Sequence, residues 1–198
     1  VAEDYGAIQV PVLAASGWND GYSNAVFRLM EHLRVPRAGL IGPWGHAYPH
    51  LGSPGPAIDF LTVCVRWWDR WLKGVPNGVD DEPMLRLWMQ DSVPPTPRYD
   101  CRPGRWIGED AWPSEHVRPR TFRLAEKRLV DERDGAPSER RLGTSPLHLR
   151  SPLPLGLFAG KWCSYTVAPD LPHDQRQEDG GALVFDTDPL ERPLELCG

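Results

Sequence analysis

The stretch VPVLAASGWND (residues 10–20) joins a short run of small and branched apolar residues to a lone aspartate, Asp20. An apolar run of this length that stops at a glycine is typical of a strand buried inside a parallel sheet. A second stretch, RAGLIGPWGH (residues 37–46), repeats the arrangement and ends in His46. Each stretch therefore predicts a buried strand with one ionisable side chain shortly after its end.

The segments between and after these strands have the periodicity of helices. Ser23 is a candidate N-cap, and the apolar residues after it recur on one helix face. Further along, residues 59–74 carry an apolar stripe opposite a polar one and end at Gly74, as helices commonly do. We expect four side chains of this second helix to be buried against the sheet: Leu61, Val65, Trp68 and Leu72. We expect its charged residues Arg66 and Lys73 to be exposed. The order strand, helix, strand, helix predicts an α/β unit with a parallel sheet.

The composition changes near residue 78, which predicts two domains, residues 1–78 and residues 79–198. Only seven of the 22 prolines lie in the first part. The second part contains short extended runs separated by Pro, Gly and Asp clusters, at residues 84–89, 120–124 and 182–185. Runs of this kind without a long helix are typical of an all-β sandwich.

Charge and composition argue against several classes of function. The formal net charge is −5 and the isoelectric point is near 5.7, so no basic surface favours a nucleic acid or an anionic membrane as partner. No apolar run is long enough for a transmembrane helix. The four cysteines lie far apart without a CxxC pair, which argues against a zinc site or redox dithiol built from them.

Asp20 and His46 are the candidate catalytic residues. The carboxyl ends of parallel strands meet at one rim of an open α/β sheet, where functional groups collect. A carboxylate there fixes the tautomer of an imidazole, whose other nitrogen takes a proton from a nucleophile. The structural alternatives are a helix cap for Asp20 and a turn residue for His46. A metal site of Asp20, His46 and His50 is a weaker alternative, because Pro49 prevents the two histidines from sharing a helix face.

A triad also needs a nucleophile, and the chain contains no GxSxG motif. Ser16 precedes Asp20 but lies too close to it to form a separate elbow. The stretch GSPG (residues 52–55) has the wrong spacing and comes after the histidine. The sequence therefore predicts either a protein that is not a hydrolase or a part of one. Trp18 and Trp44 flank the two ionisable residues and are candidate substrate-binding residues, although buried Trp more often serves packing.

Three motifs resemble the X-prolyl dipeptidyl-peptidase and cocaine esterase family of serine hydrolases. They are GWND (residues 17–20), GPWGH (residues 42–46) and WWDRWLKG (residues 67–74). The stretch DQRQEDGGALVFDTDPLERPLELCG (residues 174–198) is similar to part of the C-terminal jelly roll of that family.

The resemblance implies an α/β plus all-β fold. Residues 1–78 would be the closing part of an α/β-hydrolase domain, and residues 79–198 a partial jelly-roll β-sandwich. It implies that Asp20 is the triad acid and His46 the triad base, acting on a small-molecule ester or peptide substrate without a metal or organic cofactor. The family's nucleophilic serine and oxyanion donors lie upstream of GWxD, and its jelly roll continues with several strands after the equivalent of residues 194–198. The resemblance therefore implies that the chain is truncated at both ends. Asn19 stands where the family frequently has Tyr, which leaves the substrate undefined.

The main alternative is a non-catalytic binding or interaction module. Its support is the set of aromatic residues in the second part: Trp88, Trp106, Trp112 and Trp162. Jelly rolls commonly serve as lectin-like domains. An upstream segment with GxSxG favours the hydrolase, and its absence favours the module. The sequence does not define the oligomeric state.

Overall fold

A four-stranded mixed sheet organises the first half of the chain, from Val12 to Glu109. The computed structural model describes residues 4–134, 146–165 and 170–197 of the chain. The strands, in sheet order, are β1 (Val12–Gly17), β2 (Arg37–Gly42), β3 (Leu85–Gln90) and β4 (Gly104–Glu109). The first three are parallel, and β4 runs antiparallel to β3. Helices α1 (Ser23–His32) and α2 (Phe60–Lys73) connect the parallel strands, which is the alternation that the sequence predicts.

The ends of β1 and β2 approach each other closely. The two strands pair residue by residue from Val12 opposite Arg37 to Gly17 opposite Gly42. A Cβ atom on Gly17 would lie 1.9 Å from the carbonyl oxygen of Trp44, so only glycine fits there. Because both strands end at the same rim, the loops after them leave the sheet side by side.

The hydrophobic core lies between α1 and the sheet. It contains six buried side chains: Val26, Phe27, Met30, Ile41, Leu85 and Leu87. Burial along β3 alternates, so every second side chain of that strand is buried. Burying one large apolar side chain contributes about 1.5–3 kcal/mol. The core therefore fixes α1, β2 and β3 around the rim.

Helix α2 is turned differently from the prediction. The four side chains expected to be buried have exposed fractions of 59, 51, 54 and 78%: Leu61, Val65, Trp68 and Leu72. Trp67 is the buried residue of the helix, with 7% exposed. Arg66, expected to be exposed, is partly covered and pairs with Glu82 at 2.5 Å. Lys73 is exposed, as predicted. The prediction was wrong because periodicity identifies an apolar stripe but not the element that covers it.

The termini of α2 agree with the local sequence. The side chain of Asp59 caps the first turn by accepting a hydrogen bond from the amide of Thr62 at 3.2 Å. Gly74 ends the helix in the left-handed region, with a φ of 71°. None of the helices within the described residues is long and apolar enough to cross a membrane.

The strand predicted at residues 84–89 is β3. It pairs with β2, so the sheet continues across the predicted domain boundary at residue 78. Beyond β4, Phe122–Ala125 (β5) and Arg128–Asp131 (β6) form a two-stranded antiparallel sheet, and β5 matches the run predicted at residues 120–124.

The prediction of a strand at residues 182–185 is wrong. The backbone there is irregular, and the neighbouring Asp186 makes only an isolated bridge with Arg128. A four-residue helix, α3 (Arg176–Asp179), precedes it. The jelly roll as a whole stays a prediction.

Candidate active site

Asp20 and His46 meet at the rim where β1 and β2 end. Nδ1 of His46 lies 3.2 Å from each carboxylate oxygen of Asp20, across 26 positions of sequence. Asn19 ties the two loops together, since its amide donates to the carbonyl of Trp44 at 3.0 Å and its Nδ2 donates to that of Pro43 at 2.7 Å. The contact thus results from the parallel register of the two strands.

The carboxylate of Asp20 is held by several donors. Ser16 Oγ donates to it at 3.0 Å and the amide of Tyr22 at 2.9 Å. Cys163 Sγ lies 3.8 Å from the same group. The Asp20 side chain is only 10% exposed, whereas that of His46 is 45% exposed. The acid is therefore fixed in place, while the imidazole keeps an open side.

Residues 162–165, here called the wall segment, pack against this pair. The Ser164 carbonyl accepts a hydrogen bond from the amide of His46 at 2.5 Å, and the Ser164 amide donates to the carbonyl of Asn19 at 3.0 Å. A Cβ atom on Gly45 would lie 2.5 Å from that Ser164 carbonyl oxygen, which explains the glycine before the histidine. The sequence did not predict the wall segment, because no periodicity or motif marks it.

Asp170 anchors the wall segment from behind. Asp170 is 3% exposed, and its carboxylate pairs with Lys161 Nζ at 2.6 Å. It also accepts hydrogen bonds from the amide of Tyr165 at 3.0 Å and from Ser164 Oγ at 3.4 Å. The hydrogen bond from Lys161 holds the pKa of Asp170 below its ordinary value, although burial acts in the opposite direction.

Aromatic rings surround the open side of His46. The ring centroids of Tyr22 and Tyr165 lie 5.6 and 5.3 Å from that of the imidazole. Trp162 meets Tyr22 edge-on, with centroids 5.7 Å apart. All three aromatic side chains are more than half exposed. They offer an apolar rim beside the imidazole.

The tryptophans of the two motifs lie elsewhere. Trp44 is fully buried, and its ring occupies the space that a Cβ on Gly42 or Gly52 would need. A fully buried indole has no surface to offer a substrate, so Trp44 is a core residue. Trp18 is half-buried, packs against Phe27 and donates from Nε1 to the Trp88 carbonyl at 2.7 Å. Its predicted role in substrate binding stays a prediction.

His50 is separated from the pair and stacks on Tyr48 with centroids 5.8 Å apart. The metal site that the sequence left as an alternative consists of Asp20, His46 and His50. In the structure Cys163, and not His50, lies beside the other two residues. Among the described residues, Asp20, His46 and Cys163 each offer one ligand atom within 4.8 Å of the other two.

A separate group of polar side chains braces the loop after β4. The buried carboxylate of Glu109 accepts hydrogen bonds from Ser114 Oγ at 2.5 Å and His116 Nδ1 at 2.9 Å. The hydrogen bond from Ser114 lowers the pKa of Glu109, and the hydrogen bond from His116 lowers it further. In turn, the hydrogen bond to Glu109 raises the pKa of His116. Because Ser114 donates to the carboxylate, the geometry is that of a brace and not of a nucleophile facing its base.

Comparison with known proteins divides the chain in two. Residues 77–198 match the family described as the X-Pro dipeptidyl-peptidase C-terminal non-catalytic domain, and residues 1–48 match X-Pro dipeptidyl-peptidase of the S15 family. Two proteins named as putative serine esterases, from Mycobacterium bovis and Mycobacterium tuberculosis, are each 25% identical to this chain over 210 residues. These matches cover 98% of this chain but only 30% of each curated relative.

Proposed function

The chain belongs to the X-Pro dipeptidyl-peptidase (S15) family of serine hydrolases, and from that premise we propose that it supplies the acid and the base of a Ser–Asp–His triad. Asp20 is the acid and His46 the base. The observation that carries the proposal is the contact of His46 Nδ1 with both oxygens of Asp20 at 3.2 Å. The bond cleaved is an ester or an amide.

The geometry suits general base catalysis. Asp20 accepts the Nδ1 proton of His46, so Nε2 stays free to take the proton of an attacking serine hydroxyl. The carboxylate then stabilises the imidazolium, which returns the proton to the leaving group. Ser16 is not that nucleophile, because its hydroxyl donates to Asp20 itself.

The free edge of the sheet supports a nucleophile from another segment. In the described sheet β1 is an edge strand, so its outer backbone groups are available to a further parallel strand. A residue directly after such a strand would emerge at the same rim as Asp20 and His46. In α/β-hydrolases the triad order is Ser, acid, His, which puts the serine before Asp20. We propose that the nucleophile belongs to an upstream segment of the whole protein.

The second part of the chain has a different role in this proposal. Residues 77–198 match a family described as non-catalytic, yet they contain the wall segment that touches His46. We propose that this part shapes the site without taking part in proton transfer. A binding module without any catalysis is the alternative, and the same non-catalytic description favours it.

A fluorophosphonate probe, which reacts with activated serines, tests the hydrolase proposal. The protein that joins this chain to an upstream GxSxG segment should be labelled on that serine, and His46→Ala should abolish labelling. His32→Ala, an exposed histidine at the end of α1, is the matched control and should be labelled normally. The 198-residue chain alone should neither be labelled nor hydrolyse activated esters faster than free imidazole. Undiminished labelling of His46→Ala, or a covalent adduct on this chain, would reject the proposal.

A further inference from the structure

We propose that Asp20, His46 and Cys163 form a binding site for one zinc-type divalent cation. The site consists of three different donors from three loops: a carboxylate after β1, an imidazole after β2 and a thiol in the wall segment. Its occupation switches the dyad off, a consequence that rests on the proposed function. The binding itself does not depend on hydrolase activity.

The distances suit a tetrahedral ion. Zinc bonds of about 2.0 Å to nitrogen and oxygen and about 2.3 Å to sulfur require donor separations of about 3.3 Å for N–O and about 3.5 Å for S–O. His46 Nδ1 lies 3.2 Å from Asp20, and Cys163 Sγ lies 3.8 Å from it. Both pairs therefore reach zinc geometry with shifts of a few tenths of an ångström. The third pair, Nδ1 of His46 and Sγ of Cys163, starts within 4.8 Å and has to close to about 3.5 Å.

The donor set also selects the class of metal. A thiolate beside an imidazole suits zinc and similar borderline-soft ions and not calcium or magnesium, which prefer oxygen. Three protein ligands leave a fourth position for water. Cys163 and the Asp20 side chain are buried while His46 is half-exposed, so an ion enters from the histidine side. Ser16 and the amide of Tyr22 already hold the carboxylate as outer-shell donors do.

Binding changes the protons of the dyad. The thiol of Cys163 releases its proton to solvent when the sulfur binds the ion. The proton on Nδ1 of His46 leaves, and Nε2 takes one from solvent, so the ring stays neutral in the opposite tautomer. A protonated Nε2 has no lone pair for a serine hydroxyl. The cation thus replaces the Nδ1 proton and removes the base.

Cobalt titration of the reduced 198-residue chain tests the site directly. We expect tetrahedral cobalt bands and a thiolate-to-cobalt charge-transfer band that saturate at one ion per chain and disappear when zinc is added. Cys163→Ser should lose the charge-transfer band and bind zinc at least about 10–100-fold more weakly, because losing a ligand costs no less than losing one of its outer-shell partners. Cys101→Ser, at an exposed cysteine, is the matched control and should keep both. A wild-type chain without the band, or Cys163→Ser with an unchanged one, would overturn the proposal.

Alkylation of the unmutated chain gives a second test, which does not depend on whether a variant folds. Zinc should slow the reaction of Cys163 with iodoacetamide at least tenfold and leave Cys101 unaffected, as read by peptide mass spectrometry. The ¹⁵N spectrum of His46 should change from the Nδ1–H to the Nε2–H tautomer. Equal alkylation of Cys163 with and without zinc contradicts the site. Absent fluorophosphonate labelling of the longer protein, together with an intact cobalt spectrum, rejects the hydrolase and leaves the metal site standing.

Discussion

The backbone amide of His46 donates a 2.5 Å hydrogen bond to the carbonyl of Ser164, a residue from the distant C-terminal part of the chain. The candidate base belongs to the segment that matches the S15 peptidase family, residues 1–48, and the acceptor to the segment that matches the non-catalytic domain, residues 77–198. Neither segment alone therefore contains the complete surroundings of the dyad.

We expect Asp20→Asn to lower kcat of the longer protein by roughly 10⁴ with little change in fold, because the amide holds His46 in the wrong tautomer. Steady-state kinetics on an activated ester measures the effect, and circular dichroism checks the fold. Asp100→Asn, which alters an exposed ion pair with Arg98, serves as control. A decrease in kcat of less than tenfold would show that Asp20 is not the triad acid.

The neighbouring tryptophans of α2 should differ sharply in their contribution to stability. Trp67 is 7% exposed and Trp68 is 54% exposed. Trp67→Ala should lower the free energy of unfolding by about 3–5 kcal/mol through the cavity it leaves. Trp68→Ala should change it by less than about 1 kcal/mol. Urea denaturation of both variants gives the comparison, and equal losses would contradict the orientation of α2.

Gly52→Ala should destabilise the fold by about 1–3 kcal/mol through overpacking. A Cβ there would lie 2.1 Å from Cδ1 of the fully buried Trp44. Gly180→Ala is the matched control, because its new Cβ would lie 3.4 Å from its nearest neighbour and its φ is −62°. That control should be neutral or stabilising by about 0.4–1 kcal/mol. Thermal denaturation separates the two, and an unchanged Tm for Gly52→Ala would contradict the packing of Trp44.

The pair of His116 and Glu109 should make stability depend on pH in two directions. The pKa of His116 is raised above 6.5, so its contribution is present at low pH and is lost as the pH rises through the raised value. The pKa of Glu109 is lowered below 4.5, so its contribution is present above 4.5 and is lost as the pH falls through the lowered value. The brace should therefore be strongest between these two reference values.

Proton NMR titration of His116 measures the first of these shifts. Glu109→Gln, which keeps the shape of the side chain but removes its charge, should lower the pKa of His116 toward 6.5. An unchanged titration in this variant would show that Glu109 does not stabilise the imidazolium.

The meeting of Asp20 and His46 could be predicted from sequence for a simple reason. Two buried runs each end at a glycine, and parallel strands bring the loops at their carboxyl ends to one rim. The buried face of α2 could not be predicted, because Trp67 and Trp68 are adjacent and the apolar stripe does not identify its partner. Its end at Gly74 depends on local geometry alone, and local sequence is enough to locate it.

The wall segment could not be predicted, because no sequence pattern specifies the contacts that place it. Ser164 is placed by backbone hydrogen bonds to Asn19 and His46, which any residue type can make and no pattern encodes. The run at residues 182–185 had suitable strand composition, but a strand needs a partner, and only Asp186 forms a bridge. Composition therefore described the second part of the chain less well than the first.

The wall segment is synthesised well after the dyad that it packs against. The contact of Cys163 with Asp20 closes a loop of 143 residues, and the entropy needed to close a loop grows with its length. At a synthesis rate of about 5–20 residues per second, His46 leaves the ribosome roughly 6–24 s before Ser164 does. During that interval the nascent chain carries an aspartate and a histidine without the wall segment, which supplies two of the three aromatic rings beside them. The speed of translation therefore sets how long the unfinished site is exposed to water, chaperones and proteases.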